Sequence, residues 1–178
     1  MEKLLTLIVP CYNSAEYLNR CVDSLLPGGD RVQIILVDDG STDETARILD
    51  DYQAKNLNLD LEVVHQENAG HGGAINNGLR LAKGKYVKIV DSDDWLDQEA
   101  YKEVLDYLES NPEVDLFLAN YVYDKPAAGR QRRRTGGQSQ RPPQHDGQAP
   151  VNFGGRFSMR ATCASMTSWL AHALSKSS

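Results

Sequence analysis

Lys85-Tyr86-Val87-Lys88-Ile89-Val90-Asp91-Ser92-Asp93-Asp94-Trp95 decides how this chain is read. Five of the six residues 85–90 favour or tolerate an extended strand. Three carboxylates then fall within four positions. Such a loop repels itself unless a cation neutralises it. Oxygen donors in that density select a hard divalent ion, Mg²⁺ or Mn²⁺, bridging to a phosphate. Capping of a helix that begins after Asp97 accounts for one carboxylate. It accounts poorly for Asp91 and Asp93 together, because both lie beside the strand end.

Upstream of this stretch, two periodicities alternate. Leu4–Val9 reads as a buried strand. A helix opens at Asn13-Ser14 with Leu18, Cys21, Val22 and Leu25 on one face, and Pro27-Gly28-Gly29 ends it. Val32–Val37 is a second strand. Ser41-Thr42-Asp43-Glu44 reads as a capping box, Ser41 as N-cap and Glu44 reaching back, for a helix burying Ala46, Ile48, Leu49 and Tyr52. Leu61–His65 is a third strand and Ala74–Ala82 a helix. Tyr86–Val90 is the fourth strand. Downstream, Gln98–Leu108 is a helix with Tyr101, Val104, Leu105 and Leu108 inward, and Val114–Ala119 is a fifth strand. The order β-α-β-α-β-α-β-α-β, with short apolar strands lacking polar alternation, predicts an α/β fold: a mostly parallel sheet with helices on both faces. Ligands of such sheets bind beyond the strands' carboxyl ends. The unusual residues sit there, after Val9, Val37, His65 and Val90.

The chain has 178 residues, 40% hydrophobic and 25% charged, as a soluble globular domain has. Its net charge of −6 argues against nucleic acid as a partner. That total conceals a division. Residues 1–125 carry 11 Lys+Arg against 24 Asp+Glu, a net of −13, and residues 126–178 carry 8 against 1, a net of +7. The three cysteines, Cys11, Cys21 and Cys163, have no metal or disulfide spacing and fit a reducing compartment. Leu4–Val9 is too short for a signal-peptide core and far too short to span a membrane. The expectation is a cytoplasmic protein, with peripheral contact at the inner face of the membrane allowed.

Each remaining loop carries its own chemistry. Pro10-Cys11-Tyr12-Asn13 follows the first strand, where Pro10 is expected to end pairing and turn the chain across the sheet edge. Asp38-Asp39 ends the second strand, and a carboxylate there accepts from a nucleobase N–H or from ribose hydroxyls. Capping explains Ser41, Asp43 and Glu44, but not two consecutive carboxylates ending a buried strand. In Asn68-Ala69-Gly70-His71-Gly72-Gly73-Ala74, glycines beside a helix start let backbone N–H groups approach a phosphate. The loop has neither the Walker ending nor the dinucleotide-fold spacing. His71 there reads either as a phosphate or sugar contact or as a solvated loop histidine.

Jointly these segments resemble the family-2 inverting glycosyltransferases, which have the GT-A fold. The resemblance rests on Ile8-Val9-Pro10-Cys11-Tyr12-Asn13, Val37-Asp38-Asp39-Gly40-Ser41-Thr42-Asp43, Asn68-Ala69-Gly70 with Ala74, Asn76 and Gly78, Lys83-Gly84-Lys85-Tyr86, and Asp91-Ser92-Asp93-Asp94. In order and spacing it covers residues 4–120. It implies transfer of a sugar, with inversion, from a nucleotide-diphosphate donor, commonly a UDP-sugar, to a hydroxyl of a glycan or lipid-linked acceptor. It implies nucleotide-sugar-binding roles for Pro10, Tyr12, Asn13, Asp39, Gly70, Asp91 and Ser92. Asp91 and Asp93 become the D-x-D carboxylates that hold Mn²⁺ or Mg²⁺. Residues 1–125 would be the nucleotide-sugar-binding domain of a GT-A unit truncated on its C-terminal side.

The chain departs from that pattern twice. The family's Ala-Arg-Asn triplet is here Ala74-Ile75-Asn76, without the arginine. The family's general base comes from a later segment, where this chain has Arg132-Arg133-Arg134 and Pro142-Pro143, so no residue here inherits that role. Residues 126–178 read as a basic, low-complexity tail, disordered or out of frame, with a short helix near Thr167–Leu174. The alternatives are a catalytically incomplete chain that binds nucleotide sugar without turning it over, and a tail that binds acidic lipid or nucleic acid through charge. Haloacid-dehalogenase-type phosphotransfer also uses D-x-D, but on its first strand rather than after its fourth.

Overall fold

The computed structural model describes residues 3–119, 122–123 and 159–161. Four strands, β1 (Lys3–Cys11), β2 (Val32–Asp39), β3 (Asp60–Gln66) and β4 (Gly84–Ile89), form a sheet of order β3-β2-β1-β4. Every pairing is parallel. β1 is buried from Leu5 to Cys11 and β2 along its whole length. Burial on both faces is why these strands read as unbroken apolar runs. The chain passes from β1 outward to β2 and β3, then returns to the far side of β1 as β4. That reversal opens a crevice at the carboxyl ends of β1 and β4.

Helices cover both faces, as expected. On one, Leu5, Leu7, Val9 and Leu36 pack against α1 (Leu18–Leu25), α2 (Thr45–Lys55) and α4 (Gln98–Ser110) through Leu18, Val22, Leu25, Leu49, Val104, Leu105 and Leu108. On the other, Ile8, Ile35, Val37 and Val87 pack against Ala74 of α3 (Gly70–Leu81). The inward face of α4 is the predicted one, and Asp97 caps it by accepting from the Ala100 N–H at 3.1 Å. No helix among the described residues is long and apolar enough to cross a membrane.

A buried polar stitch sets where β4 begins. Thr6 and Gln33 are fully buried, and the Thr6 hydroxyl donates to Gln33 Oε1 at 2.8 Å. Thr6 Oγ1 accepts from the Gly84 N–H at 2.8 Å. Gln33 Oε1 accepts from the Lys83 N–H at 2.8 Å, and Gln33 Nε2 donates to the Leu81 carbonyl at 3.1 Å. A Cβ at Gly84 would lie 2.5 Å from the Thr6 nitrogen, so only glycine fits. These bonds anchor the strand that delivers the acidic loop.

Several expectations are corrected. Pro10 does not end pairing: β1 runs to Cys11, with Pro10 opposite Val37. Proline is tolerated because Pro10 shares the parity of Ile8, which faces β4, and pairing on that side finishes where the Val90 N–H donates to the Ile8 carbonyl. The first helix starts at Leu18, after a turn in which Tyr17 and Leu18 donate to the Ser14 carbonyl. The capping box is absent. The Ser41 hydroxyl accepts from the Asn13 N–H at 3.0 Å, Glu44 pairs with Arg47, and Asp43 accepts from the Thr45 N–H at 2.9 Å. Helix α3 begins at Gly70, four residues before the predicted start, because its first turn is rich in glycine and carries no apolar periodicity.

Residues 114–119 form no strand. Phe117 turns inward against Tyr107 while Leu116 and Leu118 are exposed, and the Val114 carbonyl accepts from the Tyr86 hydroxyl at 2.7 Å. Side-chain anchors hold this segment in place of ladder bonds. Three short strands, β5 (Trp95–Leu96), β6 (Val122–Tyr123) and β7 (Met159–Ala161), add a second sheet of order β5-β7-β6. No sequence signal foretold β7. The rest of the expected tail, including the helix near Thr167–Leu174, lies outside the described residues.

Candidate functional site

Four loops meet at the carboxyl end of the sheet around a cleft of about 540 Å³. Its lining includes Pro10 and Tyr12 after β1, Asp39 at the end of β2, Gly70 and His71 at the start of α3, and Asp91, Ser92 and Asp93 after β4. Six of the seven residues read as nucleotide-sugar-binding, and both read as metal ligands, therefore share one concavity. Asn13 does not line it. It has a left-handed backbone (φ 48°), and its Oδ1 accepts from the Thr42 N–H at 2.8 Å, tying the β1 loop to the β2 loop. The Ser14 and Ser92 hydroxyls are hydrogen bonded at 2.7 Å, which joins the β1 loop to the acidic loop.

Asp38 and Asp39 are both buried yet serve different ends. Asp38 accepts from the Ser41 N–H at 3.0 Å and meets His65 Nδ1 at 2.9 Å. Those bonds turn it away from the cleft toward the scaffold. Asp39 lines the cleft, and its Oδ1 accepts from Gln66 Nε2 at 2.7 Å and from the Ala69 N–H at 2.8 Å. Gly40 follows with φ 71°, and a Cβ there would lie 2.9 Å from the Asn68 nitrogen. That turn lets the β2 and β3 loops touch.

The acidic loop is a tight turn in which the Asp94 N–H donates to the Asp91 carbonyl at 2.9 Å. Asp91 and Asp93 face the cleft, and His71 Nε2 lies 4.0 Å from Asp91 Oδ1. Asp94 is not among the lining residues, and its Oδ1 is buried without a hydrogen-bond partner. Burial pushes its carboxyl up to about 7, aided by repulsion from Asp93 and Asp91. Lys88 lies 2% exposed on β4. Burial pulls its ammonium down to about 8 against the attraction of Asp91 and Asp94. Sequence reading missed Lys88 as part of this environment, although a charge inside an apolar strand was the available signal. Cys11, also a lining residue, has its thiol pushed up to about 12 by burial and then by Asp38, which suits packing rather than nucleophilic chemistry.

Does this donor set fit a hard cation? Two carboxylates, Asp91 and Asp93, share the cleft, and carboxylate oxygens are what Mg²⁺ and Mn²⁺ prefer. Among the described residues, no group of three or more His, Cys, Asp or Glu side chains is arranged to hold an ion unaided. The fit is to an ion shared with the oxygens of a ligand.

Comparison with known proteins follows the same lines. The chain is 37% identical over 128 residues to glycosyltransferase GlyG of Streptococcus pneumoniae serotype 4, covering 70% of this chain and 42% of GlyG. It is 38% identical over 104 residues to chondroitin synthase of Escherichia coli, covering 58% of this chain and 15% of that enzyme. The chain thus spans less than half of either relative. Among solved structures, S. aureus TarS 1-349 in complex with UDP-GlcNAc aligns with a TM-score of 0.57 at 30% identity, covering 74% of this chain and 37% of TarS 1-349. The mannosyltransferase PcManGT of Pyrobaculum calidifontis, solved with GDP-Man and Mn²⁺, has a TM-score of 0.58 at 24% identity, a likeness of fold alone. The fold is GT-A. The sequence profile described as glycosyl transferase family 2 matches residues 6–166, and the chain belongs to that family.

Proposed function

We propose that this chain transfers a sugar, with inversion, from a nucleotide-diphosphate donor, a UDP-sugar in the first instance, to an acceptor hydroxyl on a glycan or lipid-linked glycan. The carrying observation is the convergence of Pro10, Tyr12, Asp39, Gly70, Asp91, Ser92 and Asp93 from four separate loops on one cleft. Backbone at Pro10 and the half-exposed Tyr12 line the nucleoside end. Asn13 shapes that loop from behind. Asp39 accepts from the base. Gly70 brings backbone N–H groups at the start of α3 toward the diphosphate. Ser92 holds the β1 loop against the acidic turn. Asp91 meets the ribose and, with Asp93, would hold Mg²⁺ or Mn²⁺, which as a Lewis acid stabilises charge on the departing diphosphate. Inversion also requires a base for the acceptor hydroxyl. Cytoplasmic location at the inner face of the membrane belongs to the same proposal, and the free, buried thiols of Cys11 and Cys21 suit it.

A second reading is binding without transfer. It is favoured by the lining among the described residues, because its three carboxylates, Asp39, Asp91 and Asp93, all take donor-side roles under the same proposal. Calorimetry of UDP and a UDP-sugar with Mn²⁺, with EDTA, and with Asp93→Ala tests the proposal. The expected result is binding that needs the metal and is weakened at least about tenfold by the substitution. Binding indifferent to EDTA and to Asp93→Ala overturns it. Metal-dependent binding with neither donor hydrolysis nor transfer selects the second reading.

A further inference from the structure

We propose that Gln66, braced by Asn77, is a positioning residue that aims Asp39, so that the cleft selects donors whose base offers a ring N–H. This rests on the nucleotide-sugar reading and extends it to the base. Gln66 ends β3 directly opposite Asp39 in the β2–β3 register. Its Nε2 donates to Asp39 Oδ1 at 2.7 Å, and its Oε1 accepts from Asn77 Nδ2 at 2.9 Å. The amide orientation follows from chemistry: an ionised carboxylate takes only donors, so nitrogen must face Asp39 and oxygen must face Asn77. Asn77 sits on α3, whose neighbours Ala74 and Gly78 are buried against the sheet. The relay therefore runs from a packed helix, across a strand end, to the cleft.

Its consequence is directional. Oδ1 of Asp39 is taken by Gln66 and by the Ala69 N–H. Two bonds on one oxygen oppose rotation of the carboxylate and leave Oδ2 for a ligand. A fixed acceptor pairs with the N3–H of uracil or the N1–H of guanine. It faces a bare lone pair at the corresponding nitrogen of cytosine or adenine. A site built around such a bond discriminates strongly against the base lacking the hydrogen. Without Gln66 the Ala69 N–H alone would hold the carboxylate, which could then turn and tolerate either class.

The test compares dissociation constants for UDP against CDP and GDP against ADP, with Mn²⁺ present, in the wild-type chain, Gln66→Leu and Asn77→Ala. Inorganic pyrophosphate reports the diphosphate end, and thermal unfolding reports the fold. The expected wild-type preference for the member of the better-bound pair that carries the ring N–H is at least about tenfold. Gln66→Leu brings that ratio within about threefold while pyrophosphate affinity holds, and Asn77→Ala gives an intermediate ratio. Three results overturn the inference and leave the nucleotide-sugar reading standing. They are a wild-type chain that binds all four nucleotides alike, an unchanged ratio in folded Gln66→Leu and Asn77→Ala, or a loss shared equally by nucleotides and pyrophosphate. A wild-type chain that binds neither nucleotide nor pyrophosphate overturns the reading and the inference together.

Discussion

Replacing Thr6 by Val removes one hydroxyl and almost nothing else. The two side chains have nearly the same shape, so no cavity opens. Thr6 is 0% exposed, and its Oγ1 sits 2.8 Å from both Gln33 Oε1 and the Gly84 nitrogen. Gln33 Oε1 keeps a donor in the Lys83 N–H, so that end loses one bond, roughly 1 kcal/mol net. The Gly84 N–H loses its acceptor in a dry interior, a penalty of about 1–3 kcal/mol. The expected destabilisation is therefore about 2–4 kcal/mol. In urea unfolding, with a slope near 2 kcal/mol/M, the midpoint falls by about 1–2 M with the slope unchanged. Thr6→Ser keeps the hydroxyl and loses only a methyl group, so it should cost about 1 kcal/mol. A loss below about 0.5 kcal/mol for Thr6→Val, or equal losses for both variants, refutes the claim that this hydroxyl anchors β4.

His65 supplies a pH-dependent counterpart. Its Nδ1 meets Asp38 Oδ2 at 2.9 Å and its Nε2 meets Asp50 Oδ1 at 3.0 Å, and these bonds raise its pKa above 6.5. A raised folded pKa gives stability that is complete below the unfolded value and lost as pH climbs through the folded one. The stability gap between wild type and His65→Gln should be widest near about pH 6 and close above it; a gap widening with pH contradicts the pairing. Two glycines should behave oppositely. Gly84→Ala forces a Cβ to 2.5 Å from the Thr6 backbone nitrogen and should cost at least about 2 kcal/mol. Gly72→Ala, on α3 with nothing within 4 Å, should gain up to about 1 kcal/mol in the same denaturation assay. Equal effects at both positions would show that close approach does not explain Gly84.

How far the sequence could be read varies with the physics of each segment. The inward face of α4 was legible because Tyr101, Val104, Leu105 and Leu108 recur at helical spacing and tertiary contacts reinforce that period. The starts of α1, α2 and α3 were not, because caps compete with other partners. Ser41 is claimed by the Asn13 N–H, Glu44 by Arg47, and the glycines opening α3 carry no apolar period. Residues 114–119 have strand-like composition, but their anchors are the Tyr86 hydroxyl and the Tyr107 ring rather than a neighbouring ladder. Strand β7 gave no local signal, since three residues are too few for periodicity.

By itself the sequence determined the alternation of strands and helices, the parallel sheet and the chemistry of each loop, because periodicity, glycine placement and clustered charge are local properties of a chain. The tertiary structure alone decided how the two adjacent carboxylates at the end of β2 divide their work. Asp38 turns to His65 and Asp39 to the cleft, and only the β2–β3 register brings Gln66 against the latter. It alone also buried Lys88 and the Oδ1 atom of Asp94 while leaving Asp91 and Asp93 on the cleft wall. Which side chain of a charged run faces solvent, ligand or core depends on what packs against it. That neighbour comes from elsewhere in the chain.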